Sequence, residues 1–190
     1  MKIITFISFF LICAFSFANV PTLTIPESYT VQLHFPNAPN ITLLYKYKDM
    51  IKMVEYGVKY PSGSIINLKE KKVFSFNLKD GTLFQYPFVW LDNPRADFVN
   101  IELLFHPEVS INYLGTKEYN KEKFNQFLIT SPGYAPIIAW VHPNDQFPVF
   151  LTTRKGTDKV SLLGFSKLTE IGNIFKLPQN LRYLPNRNFR

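Results

Sequence analysis

Three histidines, one cysteine and fourteen acidic residues are the raw material for chemistry in this 190-residue chain, and their spacing organises none of it. His34 sits on the polar side of an alternating run, and His106 and His142 each precede a proline. No pair has the H-E-x-x-H spacing that sets two imidazoles on one helix face, so no zinc site is expected. Gly164-Phe165-Ser166 starts like a serine nucleophile elbow, but Leu168 stands where its closing glycine belongs. There is no phosphate loop and no dinucleotide fingerprint, so no cofactor is expected. Glu55, Asp92 and Asp97 could meet in space, but nothing in their spacing pairs them, and solvated surface acids are the plainer account. Asn40-Ile41-Thr42, beside Pro39, is an N-glycosylation sequon, which makes Asn40 a glycan candidate.

The elements that would carry such residues begin after a leader. Lys2, an apolar run over residues 3–15, and the small residues Ser16 and Ala18 have the layout of a secretory signal peptide cleaved before Asn19. The run is shorter than the roughly 20 residues that span a bilayer. Residues 1–18 are therefore read as signal and 19–190 as a single domain of ordinary size. The one cysteine, Cys13, falls inside the leader, so the exported chain has no disulfide and no thiolate chemistry. The formal charge is +7, with lysines and arginines dispersed among expected turns. They act as solvated strand ends that discourage edge pairing, or they draw the protein to an anionic membrane surface. Nucleic acid is not an expected partner of an exported chain.

Aromatic residues make up 16% of the sequence, 19 of them phenylalanine, a strand-rich composition. Residues 109–130 read as strand, turn, strand, with Gly115 ending the first run before a lysine-rich turn. Alternation predicts further strands at 29–35, 41–47, 50–58, 64–67, 72–77, 82–91 (interrupted by Pro87), 136–141, 147–152 and 159–167. One amphipathic helix is expected over 94–105. Asn93 is its N-cap, Pro94 its first residue, and Phe98, Ile101 and Phe105 its inward face. About ten strands joined by short turns suggest an antiparallel meander that curls into a barrel or half-barrel.

Ile25-Pro26 with Tyr29-Thr30-Val31 comes first, followed by Tyr47 to Asp49 and Val54-Glu55-Tyr56. Tyr113-Leu114-Gly115-Thr116 follows, with Tyr119-Asn120 and Phe127, and Phe175-Lys176-Leu177-Pro178 closes the series. In that order these segments resemble the LolA-like superfamily, which joins bacterial lipoprotein carriers to eukaryotic ependymin-related exported proteins. The cysteines that ependymin-like members carry are absent from 125–127 and 179–183. The resemblance implies a strongly curved antiparallel sheet, a half-barrel wrapped over one or two lid helices, with a hydrophobic cavity between them. It implies a non-enzymatic protein, secreted or held in the lumen of the endomembrane or lysosomal system, that binds lipid or another hydrophobic small molecule.

The cavity walls would be drawn from the aromatic pool, chiefly Phe74, Phe76, Phe84, Trp90, Phe98, Ile101, Phe105, Phe127 and Trp140. Lys117 and Lys121 would stand at the rim, for an anionic head group or peripheral contact with an anionic membrane. The same aromatics can fill a dry core. The chain would then be a secreted adhesion or matrix module that binds protein or glycan through its loops, marked by an exposed aromatic patch.

Overall fold

Every alternating run contributes a strand, but the run over 82–91 stops at Pro87, that over 50–58 at Tyr56, and that over 147–152 becomes strand only from Phe150. The computed structural model describes residues 20–184; the expected leader and the basic terminus after residue 184 lie outside them. β1 (Ser28–His34), β2 (Ile41–Tyr47), β3 (Met50–Tyr56), β4 (Ser62–Asn67), β5 (Lys72–Asn77) and β6 (Thr82–Pro87) form one antiparallel meander. β7 (Ser110–Tyr119), β8 (Glu122–Thr130), β9 (Ile137–Val141), β10 (Phe150–Thr153) and β11 (Lys159–Lys167) form a second. β11 pairs antiparallel with β1 and welds the two meanders into one sheet. With β12 (Arg182–Leu184) at one end, its strand order is β12-β6-β5-β4-β3-β2-β1-β11-β10-β9-β8-β7. β12 lies parallel to β6 and makes the sheet mixed.

The β7–β8 hairpin differs from the expectation in an instructive way. Gly115 does not end the strand. The register slips between Tyr113 and Gly115, leaving Leu114 as an extra residue, and Gly115 takes φ +116°: a β-bulge. The turn lies five residues on, where Asn120 and Lys121 both have positive φ, the geometry of a tight two-residue hairpin turn. Beyond the bulge the tip reaches across the sheet, and Tyr119 packs against Trp140 and Phe150 at 5.7 and 5.2 Å.

The expected helix over 94–105 is absent. Only a single 3-10 turn, Ile101–Leu104, forms there. Several other backbone groups of the segment bond to the sheet and its turns. The Asn93 carbonyl accepts from the Ala135 amide, and Asn93 bridges in parallel to Tyr134. The Val99 amide donates to the Asp158 carboxylate at 2.9 Å. The Asn100 side-chain amide donates to the carbonyls of Arg95 and Ala135. The bonds at the Asn93 carbonyl, the Val99 amide and the Arg95 carbonyl take backbone groups that a helical ladder would need. The inward residues change accordingly: Val99, Leu103, Leu104 and Phe105 are buried, while Phe98 is only half-buried, beneath the Arg95 guanidinium at 4.4 Å from its ring. Residues 88–105 are therefore a strap, which runs from β6 to the β8–β9 connection and back over β1.

Candidate ligand-binding face

The pairing register assigns every strand residue to one of two faces. On the strap side, Val31, Leu44 and Met53 stand in one cross-strand row. Leu151, Ala139, Phe127 and Tyr113 continue the layer through the second meander. Leu33, Ile129, Ile137, Leu151 and Val160 on this side are buried in one cluster with Val99, Leu103, Leu104 and Phe105 of the strap. The Tyr29 hydroxyl donates to the Leu104 carbonyl at 3.3 Å and ties the strap to β1. Burial pushes that phenol's pKa far up, so it stays a hydrogen-bond donor throughout the physiological range.

This layer collects only part of the aromatic pool. Phe105 and Phe127 are buried in it, and Trp90 and Ile101 pack against it. Phe98 is not part of that cluster. Phe84 is on the same side by register but exposed, in a row with Ser64 and Ser75. Phe74 and Phe76 fall on the opposite, outer face, Phe76 with its ring over Gly63, where a side chain would collide with it. Trp140 is on the outer face too, in a separate cluster with Phe124 and Phe150, its indole donating to Thr152. Lys117 stands over Trp140 at 5.8 Å, on the outer face, and Lys121 occupies the hairpin turn.

The other candidates scatter. The Asn40 side-chain amide donates to Glu55 Oε1 at 3.3 Å, while the hydroxyl and amide of Ser62 donate to Glu55 Oε2. The Ser62 bonds hold the Glu55 carboxyl below its ordinary pKa. His34 is exposed, and His142 stacks on Phe124 at 4.5 Å. Asp97 pairs with Arg95 in solvent. No cluster of three or more His, Cys, Asp or Glu placed to hold a metal occurs among the described residues.

One concavity went unread in the sequence. A pocket of about 320 Å³ opens where the strap leaves β6, lined by Phe88, Trp90, Asp92, Glu102 and Tyr134 among others. Trp90 meets Phe88 edge-on at 4.7 Å and His106 at 4.4 Å, and His106 meets Tyr134 at 5.2 Å. The Glu108 amide donates to His106 Nδ1, so the imidazole proton sits on Nε2. Burial lowers the His106 pKa. Burial, then the charges of Glu102 and Asp92, raises that of Tyr134. Trp90 and Tyr134 are 44 positions apart, and no periodicity links them.

No family model matches this chain, and no curated protein sequence matches it. Solved structures do. An uncharacterized conserved protein from Thermus thermophilus is similar over 84% of this chain and 90% of its own, with a TM-score of 0.56 and 11% identity. The LolA superfamily protein NE2245 from Nitrosomonas europaea matches 79% of this chain and 88% of its own, at a TM-score of 0.40 and 8% identity. A DUF1329 family protein from Desulfovibrio piger matches 82% and 90%, at 0.31 and 7%. The similarity to LolA superfamily proteins is one of structure and not of sequence, and at these identities it concerns the fold alone.

Proposed function

We propose that this protein is an exported, non-enzymatic carrier whose sheet curves as a half-barrel around a lipid or other hydrophobic ligand, with the strap 88–105 as its lid. The observation that carries the reading is the shortness of the strap's first leg. Pro87 ends β6, and Asn93 is already bridged to Tyr134 beside β9. Six residues reach at most about 21 Å. Eight strand steps separate β6 from β9 in the sheet order, and at ~4.8 Å each they would span about 38 Å if flat. A sheet bent enough to close that gap has a concave side, and the continuous apolar layer lies on the strap's side.

Lifting the strap would open a small set of contacts. The strap has no helical ladder to break, and the hydrogen bonds through Tyr29, Asn93, Asn100 and Asp158 hold its middle and end. An acyl chain slid beneath it would gain about 0.8 kcal/mol per buried methylene, roughly 10 kcal/mol for a dozen before ordering costs. Lys117, Lys121 and Lys123 on one hairpin support peripheral contact with an anionic membrane. Export rests on the leader read in residues 1–18.

The test is organic extraction of protein purified from an exporting host, followed by mass spectrometry, with titration of a fluorescent fatty acid. Stoichiometric extracted lipid or saturable probe binding is expected. A protein that is empty and also fails to bind the probe overturns the carrier and favours an adhesion module.

A further inference from the structure

We propose that the pocket at the strap's first leg binds an organic cation of the methylated-ammonium class. Its walls are aromatic, Phe88, Trp90 and Tyr134, with His106 closing the gap behind Trp90 and Tyr134. Two carboxylates, Asp92 and Glu102, line it, and no lysine or arginine does, in a chain whose formal charge is +7. Aromatic faces attract cations, and this protein uses that attraction repeatedly. Lys48 stands over Tyr47, Lys59 over Tyr60, Arg95 over Phe98, Lys117 over Trp140, and Lys159 over both Tyr119 and Phe150. Among the described residues no such cation stands over Phe88, Trp90 or Tyr134. Here the aromatic wall is lined by two acids, and the protein's own cations leave it open.

The chemistry narrows the ligand. About 320 Å³ is at the small end for small-molecule sites, ~300–1,000 Å³, room for a head group and not for an acyl chain. A carboxylate pair repels anions and is costly to bury against hydrocarbon. A metal ion would ask for more ligands than two separate acids supply. A compact unmethylated ammonium is strongly hydrated and yields its water reluctantly, whereas methyl groups on nitrogen spread the charge and pack against rings. His106 adds no competing charge, because burial disfavours its protonated form. Such a group could arrive as a free solute or as the head group of a phosphatidylcholine surface.

The site does not depend on the carrier reading, since its lining comes from the strap's first leg with Glu102 and Tyr134, and it needs no ligand beneath the strap. Calorimetric titration of the intact protein with choline should give a saturable heat. The neutral isostere 3,3-dimethyl-1-butanol should bind at least about tenfold more weakly, the loss expected when the charge is removed from an aromatic, acid-lined site. Glu102→Gln and Asp92→Asn should each weaken choline about fivefold, the effect of one unit charge ~4 Å away in water-like surroundings, with unchanged thermal midpoints. Sedimentation with phosphatidylcholine vesicles, released by free choline, would assign the source as a lipid head group; no sedimentation with choline binding intact would assign a free solute, and either supports the proposal. No saturable choline heat, equal binding of the neutral isostere, or full affinity in both folded variants overturns it.

Discussion

Gly133 is held at φ +78°, and a side chain there would run into the Asp92 carboxylate. Two costs therefore meet at one atom. The left-handed backbone penalises any Cβ by about 1–2 kcal/mol, and the collision forces Asp92 away from the pocket mouth. Gly133→Ala should lower the thermal midpoint and weaken choline binding together. Adding Asp92→Ala should recover the steric part of the stability loss but none of the binding; full recovery of stability would show that the backbone strain is negligible. His106 makes a second residue-level prediction. Its folded pKa lies below its ordinary value because of burial, so as pH falls the unfolded chain takes up the proton first. Stability is then complete above about pH 6.5 and declines as pH drops through that range. His106→Asn keeps an acceptor for the Glu108 amide without the titration. Thermal midpoints measured from pH 8 to pH 5 should fall less steeply in that variant than in the parent protein.

At the scale of elements, the strap shows where sequence reasoning stops. An Asn-Pro start and three apolar residues near helical spacing describe a helix that propensity allows, yet its backbone groups are claimed by Ala135, Tyr134 and Asp158, all outside its own window. A periodicity argument has no access to such partners. Strands were legible because their partners are sequence neighbours: 41–47 and 72–77 end where the alternation ends. β12 carries three residues and no pattern to read. In the site, Phe105 and Phe127 could be named from aromatic content alone, but the face that each aromatic takes depends on register, and so Phe74, Phe76 and Trp140 fall on the outer side. Asn100 is the fastening that follows from this view. It is buried, and its amide holds the carbonyls of Arg95 and Ala135. Asn100→Ala should cost about 1–3 kcal/mol in urea denaturation. Amide exchange should accelerate most at Val99 and Ala135, the two amides that tie the strap to the turns beneath it. Uniform acceleration across the sheet would mean that the strap is not a separate unit of opening.

Two meanders joined through a single strand pair make a sheet with one main core, a small outer cluster and two edges. The buried cluster runs from Val73 in β5 to Phe127 in β8, crossing the β1–β11 seam at Tyr29, Val31, Leu33, Val160 and Leu162, so neither meander can lose its packing alone. The edges are protected differently. β7 carries the bulge at Gly115 with Lys117 and Glu118 beyond it, features that discourage a second chain from adding to the sheet. β6 has no such device and carries exposed Phe84. β12 covers it instead, in parallel register from Arg182↔Thr82 to Leu184↔Phe84, with the Arg182 amide donating to the Gly81 carbonyl at 2.8 Å. Replacing Arg182 by proline removes that donor and restricts the backbone that must pair. The core is untouched, so the thermal midpoint should move little. The uncovered edge of β6 should then associate with a second copy, and sedimentation velocity should show a concentration-dependent dimer in Arg182→Pro that the parent protein lacks. A second substitution, Phe84→Lys, places a charge on the freed edge strand and should return the variant to a monomer. A dimer that persists with the lysine in place would mean that association runs through another surface.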